Sequence, residues 1–200
     1  MIVFRVRCYG REFVPDSGGG LVMSNHQSNM DPVLVGLAAK RRLNYLARET
    51  LFGFAPFRWL IQSLDAIAID REGLGLSGLK ETLRRLKRGE LVLMFPEGTR
   101  TRDGEFAPLK PGFCALARRA NVPLVPVAVA GAFEAWPRSR MLPRPSAVRV
   151  QFGPPLWPSD IARLDDEALL AEVERRLKEC FAMARQRNGN NGCGASQARH

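Results

Sequence analysis

The chain has 200 residues, about the size of one ordinary domain, and is 46% apolar and 25% charged, which excludes a wholly disordered, collagen-like or disulfide-scaffold protein. Thirty Lys and Arg against twenty Asp and Glu leave a formal charge of +10, so an anionic partner is expected: nucleic acid, an acidic membrane surface or a phosphorylated small molecule. The four cysteines, Cys8, Cys114, Cys180 and Cys193, form no CxxC pair and have only His26 and His200 beside them, which argues against zinc and for reduced thiols.

Residues 2–8 alternate apolar and polar and read as a half-buried strand. Arg5 and Arg7 interrupt any apolar run there, so the first ten residues are not a signal peptide, and a cytoplasmic place is expected. Residues 17–20 form a loop and residues 21–24 a short buried strand. Asp31-Pro32 then reads as a helix start, with Asp31 as N-cap and Pro32 in the first turn. That helix is expected to close at residues 40–42, and residues 43–47 read as another strand. Residues 51–64 carry Leu51, Phe52, Phe54, Phe57, Trp59, Leu60, Ile61 and Leu64 with Arg58 as their one charge, which fits core or an interfacial surface.

Strands are expected over residues 66–69, 91–95, 124–130 and 148–152, and helices over residues 77–88, 112–120 and 165–187. The last of these places Leu169, Val173, Leu177 and Phe181 in an i, i+4 series. Strands and helices alternate, the pattern of an α/β fold with a mainly parallel central sheet flanked by helices. Residues 1–187 read as a single domain and residues 188–200, rich in Gly, Asn and Gln, as a disordered tail. The longest uncharged apolar stretch, residues 122–133, is far short of the roughly 20 residues of a spanning helix, so membrane association is expected to be peripheral.

Four constellations carry possible chemistry. In Asn25-His26-Gln27-Ser28-Asn29-Met30-Asp31, a tight turn can fold Asp31 back onto one ring nitrogen of His26, leaving the other free as a general base. Asp31 is equally explained as a helix cap. Phe95-Pro96-Glu97-Gly98-Thr99-Arg100-Thr101-Arg102 follows a strand and suits an anion, although a solvated surface turn accounts for it too. Asp70-Arg71 stands at another strand end and reads first as a structural ion pair. Val122-Pro123-Leu124-Val125-Pro126-Val127 reads as an edge strand or a strand start.

In this order the four blocks resemble those of the glycerolipid acyltransferase superfamily: Asn-His-x-x-x-x-Asp, a block ending in Asp-Arg, Phe-Pro-Glu-Gly-Thr-Arg, and Val-Pro-x-x-Pro-Val. The resemblance covers roughly residues 3–153 and is most similar to the bacterial 1-acylglycerol-3-phosphate acyltransferases. Asp65 stands where that family's second block usually opens with Gly, and about twenty residues precede the first block where an apolar helix is common. The resemblance implies a glycerol-3-phosphate acyltransferase-like domain that acylates the free hydroxyl of a lysophospholipid acceptor, lysophosphatidic acid, from acyl-CoA or acyl carrier protein. His26 would be the base and Asp31 its orienting partner. Arg71 and Arg100 would hold the acceptor phosphate in a pocket shaped by Glu97, Gly98 and Thr99, with Lys110 and Thr101 as electrostatic support. A thioester is already activated, so neither metal nor cofactor is implied. The family's usual place is the inner face of the cell membrane, with docking on an anionic surface expected through residues 51–64 and Arg-rich surface.

Alternatives remain at this level. They are acylation or transacylation of another lysolipid, a hydrolase using Ser24 or Ser28 beside His26, and a basic non-catalytic module binding membrane or nucleic acid. No Gly-x-Ser-x-Gly elbow and no nucleic-acid docking motif supports the latter two, and no nucleic-acid partner is expected.

Overall fold

The computed structural model describes residues 5–48, 66–69 and 76–189. In chain order these form β1 (Arg5–Tyr9), a 3-10 turn (Arg11–Phe13), β2 (Gly20–Ser24), α1 (Asp31–Ala38), β3 (Leu43–Arg48), β4 (Ala66–Ile69), α2 (Leu76–Lys87) and β5 (Leu91–Met94). There follow α3 (Gly112–Ala120), β6 (Leu124–Ala130), α4 (Ala132–Ala135), β7 (Ala147–Phe152), α5 (Pro158–Ile161) and α6 (Asp166–Gly189).

The strands make one seven-stranded sheet in the order β1-β7-β6-β2-β5-β3-β4. Every pairing is parallel except β6 with β7, so β1 and β7 run against the other strands. The central strands read as unbroken apolar runs because both faces are covered. Leu21, Met23, Val92, Met94 and Leu124 face a core with Leu86 of α2, Phe113, Leu116 and Ala117 of α3, and Leu169, Val173 and Leu177 of α6. Val22, Leu91, Leu93, Val125, Val127 and Val129 face the other way, against Leu34, Val35 and Ala38 of α1 and Ala132 and Ala135 of α4. The C-terminal ends of β2, β5 and β6 therefore lie side by side, which is where open α/β sheets place ligands.

Several expectations need correction. Asp31 is the first residue of α1 and not its cap; Met30 holds the cap position without a side-chain bond, and α1 ends at Ala38, short of the basic cluster. Pro126 lies inside β6, between β2 and β7, and not on an edge. It is tolerated there because the β6–β7 ladder begins at Val127 opposite Phe152. The Pro126 carbonyl accepts the Gly153 N–H at 2.9 Å, and the neighbouring chain bulges there before it pairs again at Leu156 with Leu124, so the side of the strand that lacks a donor faces the bulge. The helix α6 runs through Asn188, whose Nδ2 donates to Ala147 O at 3.2 Å, so residues 188 and 189 belong to the fold and not to a tail. Residues 51–64, Asp65, Asp70, Arg71 and residues 190–200 lie outside the described residues. Among the described residues, no helix is long and apolar enough to cross a membrane.

The buried face of α6 is the predicted series, and its outer face is laced with ion pairs. Glu172 accepts from Arg175 at 2.8 Å and from Arg176 at 2.7 Å. The Arg175 bond first, with Arg176 adding to it against partial burial, holds the Glu172 carboxyl at about 2, below its ordinary 4.5. A depressed folded-state value means that the stabilisation is present above about 4.5 and is lost as pH falls toward 2. Glu172→Gln is therefore expected to lower the thermal midpoint near neutral pH by a few degrees at most, as for pairs of about 0.3–1 kcal/mol. The difference should shrink as melts are run from pH 5 down to pH 3. A gap that widened toward acid would contradict it.

Candidate active site

The segment after β2 turns sharply, and Asn25 starts the turn by imitating backbone. Its Nδ2 donates to Val129 O at 3.0 Å and its Oδ1 accepts the Val129 N–H at 2.8 Å, extending the β2–β6 pairing by one side chain. His26 follows at the mouth of the sheet. Its ring stacks on Phe95 with centroids 4.0 Å apart and an interplanar angle of 18°. One face of the imidazole is thus covered, and the side chain keeps 19% of its exposure.

Asp31 is fully buried at the start of α1 and points back into the turn. Its Oδ2 lies 2.8 Å from His26 Nδ1 and accepts the backbone N–H groups of Gln27 at 2.6 Å and Ser28 at 2.7 Å. A carboxylate only accepts, so it selects the tautomer with the proton on Nδ1 and leaves the lone pair on Nε2. The two backbone donors fix the carboxylate, and the carboxylate fixes the ring.

The loop after β5 is stitched to this turn. Glu97, 3% exposed, accepts the His26 N–H through Oε1 at 2.9 Å and the Ala107 N–H through Oε2 at 3.0 Å. Burial pushes its carboxyl above the ordinary range, while these donors and the nearby His26 pull it down. With both oxygens bonded to backbone, Glu97 ties the segment around Ala107 to the turn that carries His26. Thr101 N–H donates to His26 O at 2.8 Å, and Gln27 Nε2 donates to Gly104 O at 2.8 Å.

Gly98 takes φ 70°, a left-handed turn that favours glycine, and a Cβ there would stand 3.0 Å from Lys110 Cε and Nζ. Lys110 thereby lies over the turn, its own N–H bonded to Pro96 O at 2.9 Å. Thr99 is exposed; Thr101 is buried, with Oγ1 2.9 Å from Asp103 Oδ1. Arg100 is half-buried and donates through Nη1 to Asn29 Oδ1 at 2.6 Å. Burial, then the charge of Arg138, lowers the Arg100 pKa, and Asp31 opposes them. The structure therefore gathers His26, Asp31, Glu97, Gly98, Thr99, Arg100 and Lys110 at one end of the sheet. Arg71 is outside the described residues.

Sequence reasoning gave no role to Asn25, Asn29, Phe95 or Arg138. Each acts through a partner distant in the chain, and only the adjacency of Phe95 to the Pro96-Glu97 turn offered a local signal. Ser24 and Ser28 are both fully buried, with hydroxyls donated to Asn25 O at 3.0 Å and Trp136 O at 2.8 Å. Neither hydroxyl faces His26 as a nucleophile would.

The family described as Acyltransferase matches residues 5–130. The 1-acyl-sn-glycerol-3-phosphate acyltransferase of Bacillus subtilis (strain 168) is 31% identical over 176 residues, spanning 87% of this chain and 85% of that protein. The protein of that name from Limnanthes douglasii is 31% identical over 151 residues, and the match spans about half of its length, 54%, and 73% of this chain. The crystal structure of the 1-acyl-sn-glycerophosphate (LPA) acyltransferase PlsC from Thermotoga maritima superposes with a TM-score of 0.76 at 26% identity, covering 98% of this chain and 74% of that one.

Proposed function

The chain belongs to the Acyltransferase family, and from that premise we propose that it acylates the free hydroxyl of 1-acyl-glycerol-3-phosphate, giving phosphatidic acid in phospholipid biosynthesis. The observation that carries the reading is the His26–Asp31 pair: a buried carboxylate 2.8 Å from Nδ1 leaves Nε2 as the base. Nε2 takes the acceptor hydroxyl's proton as its oxygen attacks the thioester carbonyl. The tetrahedral intermediate collapses, the C–S bond breaks, and the proton passes from the imidazolium to the departing thiolate. Asp31 holds the ring in line and balances its transient charge.

Arg100 has the half-buried setting and, in Arg138, the neighbouring cation that suit an acceptor phosphate, and Lys110 adds charge above Gly98. Acyl-CoA and acyl carrier protein both present the required thioester. The step as written employs no metal, because the thioester is activated without one. A lipid acceptor fits a place on the inner face of the cell membrane, held peripherally by an anionic surface.

The test is thiol release from acyl-CoA with and without lysophosphatidic acid in mixed micelles, with a two-chain product identified by mass spectrometry. Acceptor-dependent release supports the proposal. Release without acceptor would make the protein a thioesterase and sink it. Arg100→Ala is expected to raise the apparent acceptor KM on the order of tenfold or more, since a charge-assisted contact contributes about 1.5–3 kcal/mol. An unchanged KM would remove Arg100 from the phosphate site.

A further inference from the structure

Residues 136–146, between α4 and β7, contain no helix or strand and yet are held in place. Trp136 Nε1 donates to Arg140 O at 2.9 Å, Arg140 N–H to Pro137 O at 3.1 Å, and Arg144 N–H to Ala135 O at 2.9 Å. The Arg144 guanidinium also bonds Glu134 O. Pro137, Pro143 and Pro145 restrict the backbone further.

This stiffened segment displays two consecutive apolar side chains, Met141 at 91% and Leu142 at 74% exposure. Single apolar residues on a surface call for no explanation, but an adjacent pair on a fixed tip is different. Arg138, Arg140 and Arg144 are exposed around the pair, and no acidic residue falls within 136–146. An apolar wedge inside a cationic rim is the composition that enters the headgroup boundary of an anionic bilayer. Two side chains are too little for the core of a stable protein interface, which needs roughly 800 Å² from each partner.

The position matters as much as the composition. Ser28 Oγ donates to Trp136 O at 2.8 Å, which ties the base of the segment to the turn carrying His26 and Asp31. Arg138 lies close enough to Arg100 for the two charges to interact. We infer that residues 136–146 dock the protein on anionic lipid, with Met141 and Leu142 inserted and the three arginines on lipid phosphates. His26 is thereby set toward the leaflet that supplies the acceptor. The docking stands on the surface itself; only its bearing on turnover rests on the reaction proposed above.

The experiment is co-sedimentation with vesicles of phosphatidylcholine alone or mixed with phosphatidylglycerol. The unsubstituted chain should bind the mixed vesicles, and Met141→Ser/Leu142→Ser should weaken that binding on the order of tenfold or more. Arg138→Gln/Arg140→Gln should weaken it roughly fivefold per charge, an effect that high salt removes. The apolar double variant should melt with the parent and turn over a monomeric short-chain acceptor normally, losing rate only on an acceptor embedded in vesicles. Vesicle binding by that variant within about twofold of the parent would overturn the inference. So would self-association without lipid that disappears in the variant, since the patch would then serve a second copy. Tip-dependent vesicle binding by a chain that acylates no acceptor would leave the docking intact and refute the proposed reaction instead.

Discussion

His26→Ala is expected to lower the turnover of acyl transfer by about 10²–10⁴-fold with little change in either KM, because general base catalysis is worth that much and the ring holds neither substrate. The loss should be chemical and not structural. Without the imidazole, Asp31 Oδ2 keeps the N–H groups of Gln27 and Ser28, and the backbone at position 26 keeps its bonds to Glu97 and Thr101. Asp31→Asn divides the role further. An amide oxygen can keep the Gln27 and Ser28 N–H groups, so the turn should persist, but the His26 ring is held less firmly and the imidazolium formed during attack loses its buried counter-charge. A fall in turnover at saturating substrate is the expected result for both variants, with an unchanged melting curve for His26→Ala and a melting point lower by a few degrees for Asp31→Asn, whose NH₂ group takes the buried, unpartnered place of Oδ1. Retention of more than about a tenth of the parent rate by His26→Ala would place the base elsewhere.

The second large effect is expected at Glu97, and it is one of positioning. A carboxylate can satisfy two backbone donors at once, as Glu97 does at 2.9 and 3.0 Å, whereas an amide offers one oxygen. In Glu97→Gln either His26 N–H or Ala107 N–H must face an NH₂ group. A buried donor left unsatisfied costs about 1–3 kcal/mol, and a chain of this size loses roughly 2–4 °C of melting temperature per kcal/mol. A fall of several degrees is therefore expected in thermal unfolding. Relief from burying a charge, which pushes the Glu97 carboxyl up, offsets part of it. Turnover should fall as well, on the order of 10²-fold if His26 shifts by about 1 Å. Glu97→Asp keeps the charge but shortens the reach, so it should rescue neither property fully. An unchanged midpoint with unchanged turnover in Glu97→Gln would refute the clamp.

The helix over Gly112–Ala120 and the strand over Leu124–Ala130 were legible to the residue, because their apolar periods are bounded by Gly and Pro signals. The pairing of His26 with Asp31 was legible from spacing, since only a short turn separates them. The use of that pairing was less so: Asp at a helix start is ordinarily a cap, and only the backbone geometry shows its carboxylate turned back onto Gln27 and Ser28. Helices α4 and α5, four residues each, are shorter than any window in which a helical period can be recognised. The Asn25 clamp joins residues 104 positions apart and the Glu97 clamp residues 71 apart, so no local pattern announces either. Pro126 misled for a related reason, because the rule that sends proline to edges or bulges is satisfied by a local bulge in the neighbouring chain.

The placement of β2 also bears on how the molecule is made. Its neighbours in the sheet are β5 and β6, which begin at Leu91 and Leu124, whereas β2 itself is complete at Ser24. On a ribosome adding about 5–20 residues per second, roughly 5–20 s separate the appearance of β2 from the completion of β6. For roughly the first two thirds of that interval, until β5 is complete at Met94, Gly20–Ser24, every residue of which is buried in the finished fold, has neither of its final hydrogen-bonding partners, and it lacks β6 for the remainder. The nascent chain thus presents an uncapped apolar strand long before the sheet can close over it, the situation in which edge-to-edge aggregation and chaperone capture compete with folding. The same central position that lets β2 deliver His26 to the mouth of the site makes its strand the earliest hazard of synthesis.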